Sequence, residues 1–158
     1  SNQKNKPRDL WYSQSHQTVT AHFDYLSSNL GKDIRGLLID AFDEWLQVPK
    51  LALNTIKSVV NMLHTASLLR LCPAPRLSGC SHQIFGAAQT INSANHAYFL
   101  AFEALQGLQN PAANTLLIHE MINLHLGQGM DLYWRDSFTC PSETQYLEMV
   151  NNKTGGAF

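Results

Sequence analysis

Apolar residues recur at helical spacing along most of this 158-residue chain, and that periodicity limits the fold more than any other feature. No segment shows the strict alternation of apolar and polar residues that predicts a half-buried strand. The clearest stripe precedes Pro49 and consists of Ile34, Leu37, Leu38, Phe42, Trp45 and Leu46. We therefore predict an all-α fold in which this stripe is buried. The acidic residues of the same helix, Asp40, Asp43 and Glu44, are expected on its solvated face.

Further helical segments are predicted at residues 51–69, 84–105 and 112–126. The first of these is apolar nearly all round, as expected of a central helix that neighbours cover. The run Cys72-Pro73-Ala74-Pro75 must interrupt it, because each proline lacks an N–H donor and clashes with the preceding turn. Ser142 and Gln145 stand at capping-box spacing and predict the start of another helix.

Composition excludes several classes of function. The chain is 44% hydrophobic and 15% charged with a formal net charge of −1, so nothing in its charge favours a nucleic-acid partner. No apolar run approaches the roughly 20 residues of a transmembrane helix. Three cysteines without a C-x-x-C pair favour neither a zinc site nor a disulfide framework, which predicts a cytoplasmic, intracellular protein. Residues 1–20 are polar, without a signal-peptide core, and are expected to be a flexible lead-in to one domain over residues 21–158.

Five short strings match, in order, the motifs of one known family. They are Gly31-Lys32-Asp33-Ile34-Arg35, the M-L-H-T-A-S-L-L run from Met62 to Leu69, I-N-S-A-N from Ile91 to Asn95, G-Q-G-M-D-L-Y-W-R-D from Gly127 to Asp136, and Lys153-Thr154-Gly155-Gly156. With them the chain resembles the trans-isoprenyl diphosphate synthases, and the last three strings resemble those of fungal and animal geranylgeranyl diphosphate synthases. The resemblance implies the front half of the isoprenoid-synthase helical bundle, with residues 21–158 as the N-terminal part of a polyprenyl synthase domain.

The resemblance also implies a function. Members of that family are transferases that condense isopentenyl diphosphate with an allylic diphosphate, here to give geranylgeranyl diphosphate. They use Mg²⁺, and a homodimer or a heterodimer with another prenyl synthase is expected. Two other interpretations stay open: a catalytically inactive subunit that binds diphosphates or pairs with an active synthase, and a piece of a chimeric terpene synthase.

The resemblance implies that three residues hold isopentenyl diphosphate: Lys32, Arg35 and His64. Lys32 and Arg35 are three positions apart at the start of a helix, so both cations can face one anion, and the helix N-terminus adds to the attraction. The competing interpretations are two ordinary surface cations and a hydrogen-bonded core histidine.

The resemblance also implies a second set, Lys153 and Thr154, which contacts the allylic diphosphate. Gln128 and Asp131 are three positions apart on one helical face and can orient this lysine. A purely structural polar cluster explains the same two residues equally well.

The family's first magnesium-binding motif, D-D-x-x-D, is expected directly after Leu69 but is missing. The chain instead reads R-L-C-P-A-P-R-L-S-G over residues 70–79, and it has no Asp or Glu from residue 45 to residue 102. No metal ligand is therefore predicted, since Mg²⁺ requires carboxylate oxygens. Either the protein is an inactive relative, or residues 70–81 are a misread stretch of the gene. In the resembled family the residues just before this motif set the chain length, and the small Ala66 and Ser67 at these positions would leave room for a long prenyl chain.

Overall fold

The computed structural model describes residues 13–21, 33–71 and 81–154. Within these ranges the chain is helical and contains no strand, which confirms the predicted all-α class. In chain order the helices are α1 (residues 13–21), α2 (Ile34–Leu46), α3 (Lys50–Leu71), α4 (Ser81–Phe85), α5 (Ala87–Gln106), α6 (Pro111–Ser137) and α7 (Glu143–Lys153).

Local signals account for several helix ends. The side chain of Asn110 accepts hydrogen bonds from Ala112 N and Ala113 N, with Pro111 at the first helical position of α6. The predicted capping box at α7 is confirmed, because Ser142 and Gln145 bond each other's backbone N–H groups reciprocally. Helix α6 is longer than predicted because it continues through Gly127 and Gly129, and no proline intervenes before its left-handed cap at Phe138. A left-handed glycine, Gly86, separates α4 from α5.

The chain divides into two compact units, Ser1–Ala104 and Leu105–Phe158. In the first unit the buried side chains are mostly small, and small residues allow helices to pack at short interaxial distances. They are Val59, Thr65, Ala66, Leu69, Thr90, Ser93, Ala94, Ala97, Tyr98 and Ala101. In the second unit α7 packs closely along α6, and Leu105, Met121 and Met149 are buried.

The predicted burial of the α2 stripe is wrong. Trp45 is 80% exposed, and the other five members of the stripe are exposed as well. The face of α2 that meets α3 instead carries Asp40, whose carboxylate pairs with Lys57 of α3. Asp43 is likewise engaged, because it accepts a hydrogen bond from Val48 N beyond the helix end. Helical spacing correctly identified the apolar side of α2, but α3 packs against a different side of that helix.

The central helix α3 is only partly buried. Its predicted helical character is confirmed from Lys50 to Leu71, and Val59, Ala66 and Leu69 are buried. Leu51 and Leu68 are exposed, so the expectation of burial on all sides is wrong for this helix in the described structure.

The predicted lead-in, residues 1–20, lies largely outside the described residues. Residues 13–21 form α1, so this part of it is helical rather than irregular. The ring of His16 on α1 contacts that of His96 on α5 edge-on, with centroids 6.1 Å apart. The boundary at residue 20 stays a prediction. None of the described helices combines the length and apolar character needed to cross a bilayer.

Candidate functional site

A cavity of about 490 Å³ opens where the start of α2 faces α3 in the first unit. Its volume falls within the range of small-molecule sites, about 300–1,000 Å³. The lining mixes apolar residues with polar and charged ones. The start of α2 contributes Asp33, Ile34, Arg35, Gly36 and Ile39, and α3 contributes Lys57, Ser58, Val60, Asn61 and His64.

Asp33 sets the geometry of the α2 end of this cavity. It adopts a left-handed conformation (φ 43°), and its carboxylate accepts a hydrogen bond of 3.2 Å from Gly36 N. Gly36 is buried, and a Cβ at this position would collide with the Asp33 carboxylate. The helix N-terminus is therefore partly occupied by the chain's own anion, which reduces the attraction for a diphosphate expected from the sequence.

The structure brings Arg35 and His64 to the same cavity. Burial and the positive charge of Arg35 together lower the pKa of His64 below its usual value. The imidazole is therefore neutral at neutral pH and can donate one N–H hydrogen bond while the guanidinium supplies the fixed positive charge. This is a suitable pair for the oxygens of a phosphate group.

Sequence reasoning missed the polar row on α3 that accompanies His64. Lys57, Asn61 and His64 are four and three positions apart, so they lie along one side of the helix and all line the cavity. Lys57 Nζ lies 2.5 Å from Asp40 Oδ1. This spacing is present in the sequence, but the many apolar residues of α3 led to the interpretation of the whole helix as apolar. Lys32, the third residue predicted for this site, lies outside the described residues.

In the second unit the structure brings Lys153 to Asp131. Lys153 Nζ donates to Asp131 Oδ2 at 2.6 Å, between the last turn of α7 and the second half of α6. Asp131 rather than Gln128 contacts this lysine; Gln128 is half-buried. Thr154 follows as the C-cap, with its N–H bonded to Val150 O and its side chain exposed. Of the second predicted set, the paired members are thus Lys153 and Asp131.

The geometry can be compared with known proteins. The model of the polyprenyl synthetase family matches residues 16–158, which is most of the chain. The chain belongs to the polyprenyl synthetase family. This finding confirms the resemblance inferred from the five motifs.

Curated members of the polyprenyl synthetase family from fungi are similar to the chain. A geranylgeranyl pyrophosphate synthase of Hypoxylon pulicicidum is 49% identical over 96% of this chain and 41% of its own length. Geranylgeranyl pyrophosphate synthase 1 of Zymoseptoria tritici is 52% identical, covering 94% and 45%. Geranylgeranyl pyrophosphate synthase olcC of Penicillium canescens is 54% identical, covering 90% and 44%. The chain thus spans less than half the length of these relatives.

The Mg²⁺ expected of a polyprenyl synthetase does not fit the end of α3. Leu69, Arg70 and Leu71 close the helix without a carboxylate, and Mg²⁺ takes oxygen ligands. Among the described residues, no group of three or more His, Cys, Asp or Glu side chains lies close enough to hold a metal ion. Residues 72–80, in the segment where the missing motif was expected, lie outside the described residues.

The two residues predicted to shape a prenyl pocket differ in their surroundings. Ala66 is completely buried, whereas Ser67 is half-buried. Neither lines the cavity between α2 and α3. Their role in chain length therefore stays a prediction.

Proposed function

We propose that this polyprenyl synthetase chain acts in isoprenoid biosynthesis, as part of a prenyltransferase that joins isopentenyl diphosphate to an allylic diphosphate to give geranylgeranyl diphosphate. The observation that carries the proposal is the cavity shared by Arg35 and a neutral His64. The fungal relatives, which are named as geranylgeranyl pyrophosphate synthases, support the choice of product.

In this proposal the cavity between α2 and α3 holds isopentenyl diphosphate. Its lining carries two cations, Arg35 and Lys57, and one carboxylate, Asp33. Because Lys57 is also paired with Asp40, Arg35 is the main positive charge that a bound anion meets. Arg35 presents a planar donor fork to the diphosphate oxygens, and the neutral His64 adds one hydrogen bond. Lys32, at the start of the same motif, would complete the set.

The allylic diphosphate is proposed to meet Lys153 and Thr154 at the end of α7. Asp131 supports this arrangement because its ion pair with Lys153 restricts the ammonium to one direction. Both substrate positions must be filled for condensation. The C–O bond of the allylic diphosphate breaks and pyrophosphate leaves with the bonding electrons. A C–C bond forms to the terminal alkene carbon of isopentenyl diphosphate, and a proton is lost from C2 of the latter to a base such as the released pyrophosphate.

A second candidate function is a subunit that binds diphosphates without turning them over. The specific observation in its favour is the sequence after Leu69, which begins with Arg70 where the family carries carboxylates. A cation there repels Mg²⁺, and the leaving diphosphate then lacks the charge neutralisation that metal ions provide.

One experiment separates the two functions. The chain is incubated with isopentenyl and farnesyl diphosphates with and without Mg²⁺, and binding of isopentenyl diphosphate is measured by calorimetry. Formation of geranylgeranyl diphosphate supports the prenyltransferase, and binding without product supports the non-catalytic subunit. Loss of binding in Arg35→Gln, with retention in Arg135→Gln, tests the cavity, because Arg135 is an exposed arginine of the other unit. No binding to the unchanged protein would contradict both functions.

We also propose that the chain associates with a prenyl synthase subunit, either a second copy or a different one. Support comes from large apolar side chains of α6 that are exposed, such as Leu116, Ile122 and Leu126. Analytical ultracentrifugation of the chain alone and mixed with an active synthase tests the association. A cytoplasmic setting is part of the same proposal, and the free, exposed thiol of Cys140 is consistent with it.

A further inference from the structure

Helices α6 and α7 approach each other closely at Gly127. A Cβ placed on this buried glycine would lie 2.7 Å from Lys153 N, 2.9 Å from Met149 O and 3.0 Å from Asn152 Cβ. All three atoms belong to the last turns of α7, and two of them are backbone atoms. A backbone cannot rotate away as the tip of a side chain can, so any residue larger than glycine must displace the end of α7.

A second contact acts on the same lysine. Asp131 follows Gly127 by four positions and therefore lies on the same side of α6, one turn further on. Its carboxylate holds Lys153 Nζ at 2.6 Å. Helix α6 thus meets Lys153 at two points, the backbone nitrogen at Gly127 and the ammonium at Asp131.

We propose that Gly127 is a positioning residue for Lys153 and Thr154. Its missing side chain sets the distance of the α7 terminus from α6, and that distance brings the ammonium within reach of Asp131. The effect on ligands rests on the proposed function, since it assumes that these two residues receive the allylic diphosphate. The effect on the Lys153–Asp131 pair does not depend on that function.

The chain supplies a matched control in Gly129. This glycine lies two positions further along the same helix, and a Cβ there would meet no atom within 4 Å. Alanine favours a helix over glycine to the same degree at both interior positions. Gly127→Ala and Gly129→Ala therefore differ in the collision with α7 and not in helix propensity.

The first test needs no variant. In an isotope-labelled sample of the unchanged chain, a nuclear Overhauser effect is expected between the α protons of Gly127 and the amide proton of Lys153. Its absence would overturn the close approach. This measurement keeps the proposal testable even where Gly127→Ala does not fold.

The second test measures the ion pair through a double-mutant cycle of urea unfolding, with Asp131→Asn and Lys153→Met. The cycle is carried out in the unchanged, Gly127→Ala and Gly129→Ala chains. The coupling is expected to disappear in Gly127→Ala and to persist in Gly129→Ala. Coupling that survives in Gly127→Ala would overturn the proposal.

The third test uses two ligands, farnesyl thiodiphosphate and isopentenyl diphosphate, measured by calorimetry. Gly127→Ala is expected to weaken the farnesyl analogue about tenfold, because the displaced end of α7 no longer holds Lys153 in place, while isopentenyl diphosphate binds as before. An equal loss of affinity for both ligands would show that Gly127 supports the stability of the chain in general. No loss of affinity for the farnesyl analogue would show that Gly127 does not position Lys153. Either result overturns the proposal. Failure of the unchanged chain to bind either ligand defeats the proposed function alone, and the coupling then decides the role of Gly127.

Discussion

Lys57 and Asp40 join α3 to α2 through an ion pair of 2.5 Å, and the same lysine lines the cavity between these helices. The ammonium can therefore serve the carboxylate or a bound anion. Both side chains are partly exposed, so the pair itself contributes little to stability, about 1 kcal/mol or less.

Competition for Lys57 gives a first prediction. Asp40→Asn releases the ammonium and is expected to tighten binding of inorganic pyrophosphate about threefold, while Lys57→Met weakens it, because the free energy of a partly screened charge contact is small. Calorimetry at low salt measures both effects. Lys50→Met, at an exposed lysine outside the cavity, is the control. Unchanged affinity in both Asp40→Asn and Lys57→Met would contradict a role of Lys57 in the cavity.

The cap of α2 gives a second prediction. Asn caps a helix as well as Asp and tolerates the left-handed conformation of residue 33, so Asp33→Asn should keep the stability of the chain. It also removes the one negative charge of the cavity lining and should raise the affinity for pyrophosphate. Asp33→Ala is expected to lower the free energy of unfolding by about 1 kcal/mol through loss of the cap. Urea melts measure the effect of the cap and calorimetry on the same samples measures the effect of the charge. If neither variant binds pyrophosphate more tightly than the unchanged chain, the charge argument is wrong.

The pH dependence of stability follows from His64. Its pKa is lowered in the folded chain, so the unfolded chain binds the proton more readily, and stability falls as the pH drops below the usual histidine value. His64→Gln is expected to flatten the loss of stability between neutral and mildly acidic pH. Urea melts across this range measure it, with His119→Gln, at an exposed histidine of α6, as the comparison. An equal slope in His64→Gln and the unchanged chain would exclude this contribution.

A bound diphosphate should reverse the effect on His64. Its negative charge favours the imidazolium and should raise the pKa of this histidine. A proton NMR titration of the His64 ring with and without pyrophosphate detects the change. If the titration curve stays in place under saturating pyrophosphate, the anion does not bind beside this residue.

The capping box of α7 gives a further prediction. Ser142→Ala removes the side-chain acceptor for Gln145 N and is expected to cost about 1 kcal/mol of stability. Thr144→Ala, two positions on and exposed, should be neutral or slightly stabilising because alanine has the higher helix propensity. Urea denaturation compares the two. Equal stabilities would show that the second unit does not depend on this cap.

The sequence predicted features that depend on neighbours in the chain. The capping box of α7 follows from the short spacing of Ser142 and Gln145. The interruption expected at Cys72-Pro73-Ala74-Pro75 lies outside the described residues. The grouping of Arg35 with His64 came from the family resemblance, and that of Asp131 with Lys153 combined the resemblance with helical spacing. Helical periodicity cannot say which side of a helix a distant segment will cover, and for this reason the stripe with Trp45 was wrongly expected to be buried. Lys57 was overlooked because the many apolar residues of α3 led to its interpretation as a helix buried on all sides.

The contact at Gly127 also bears on how this chain changes over generations. Every glycine codon is one base away from an alanine codon, so substitution at this position needs a single mutational step. Where the placement of Lys153 is still needed, selection removes the change to alanine. Where it is no longer needed, the change can persist. The residue at position 127 in close descendants of this gene therefore reports whether selection still acts on the placement of Lys153.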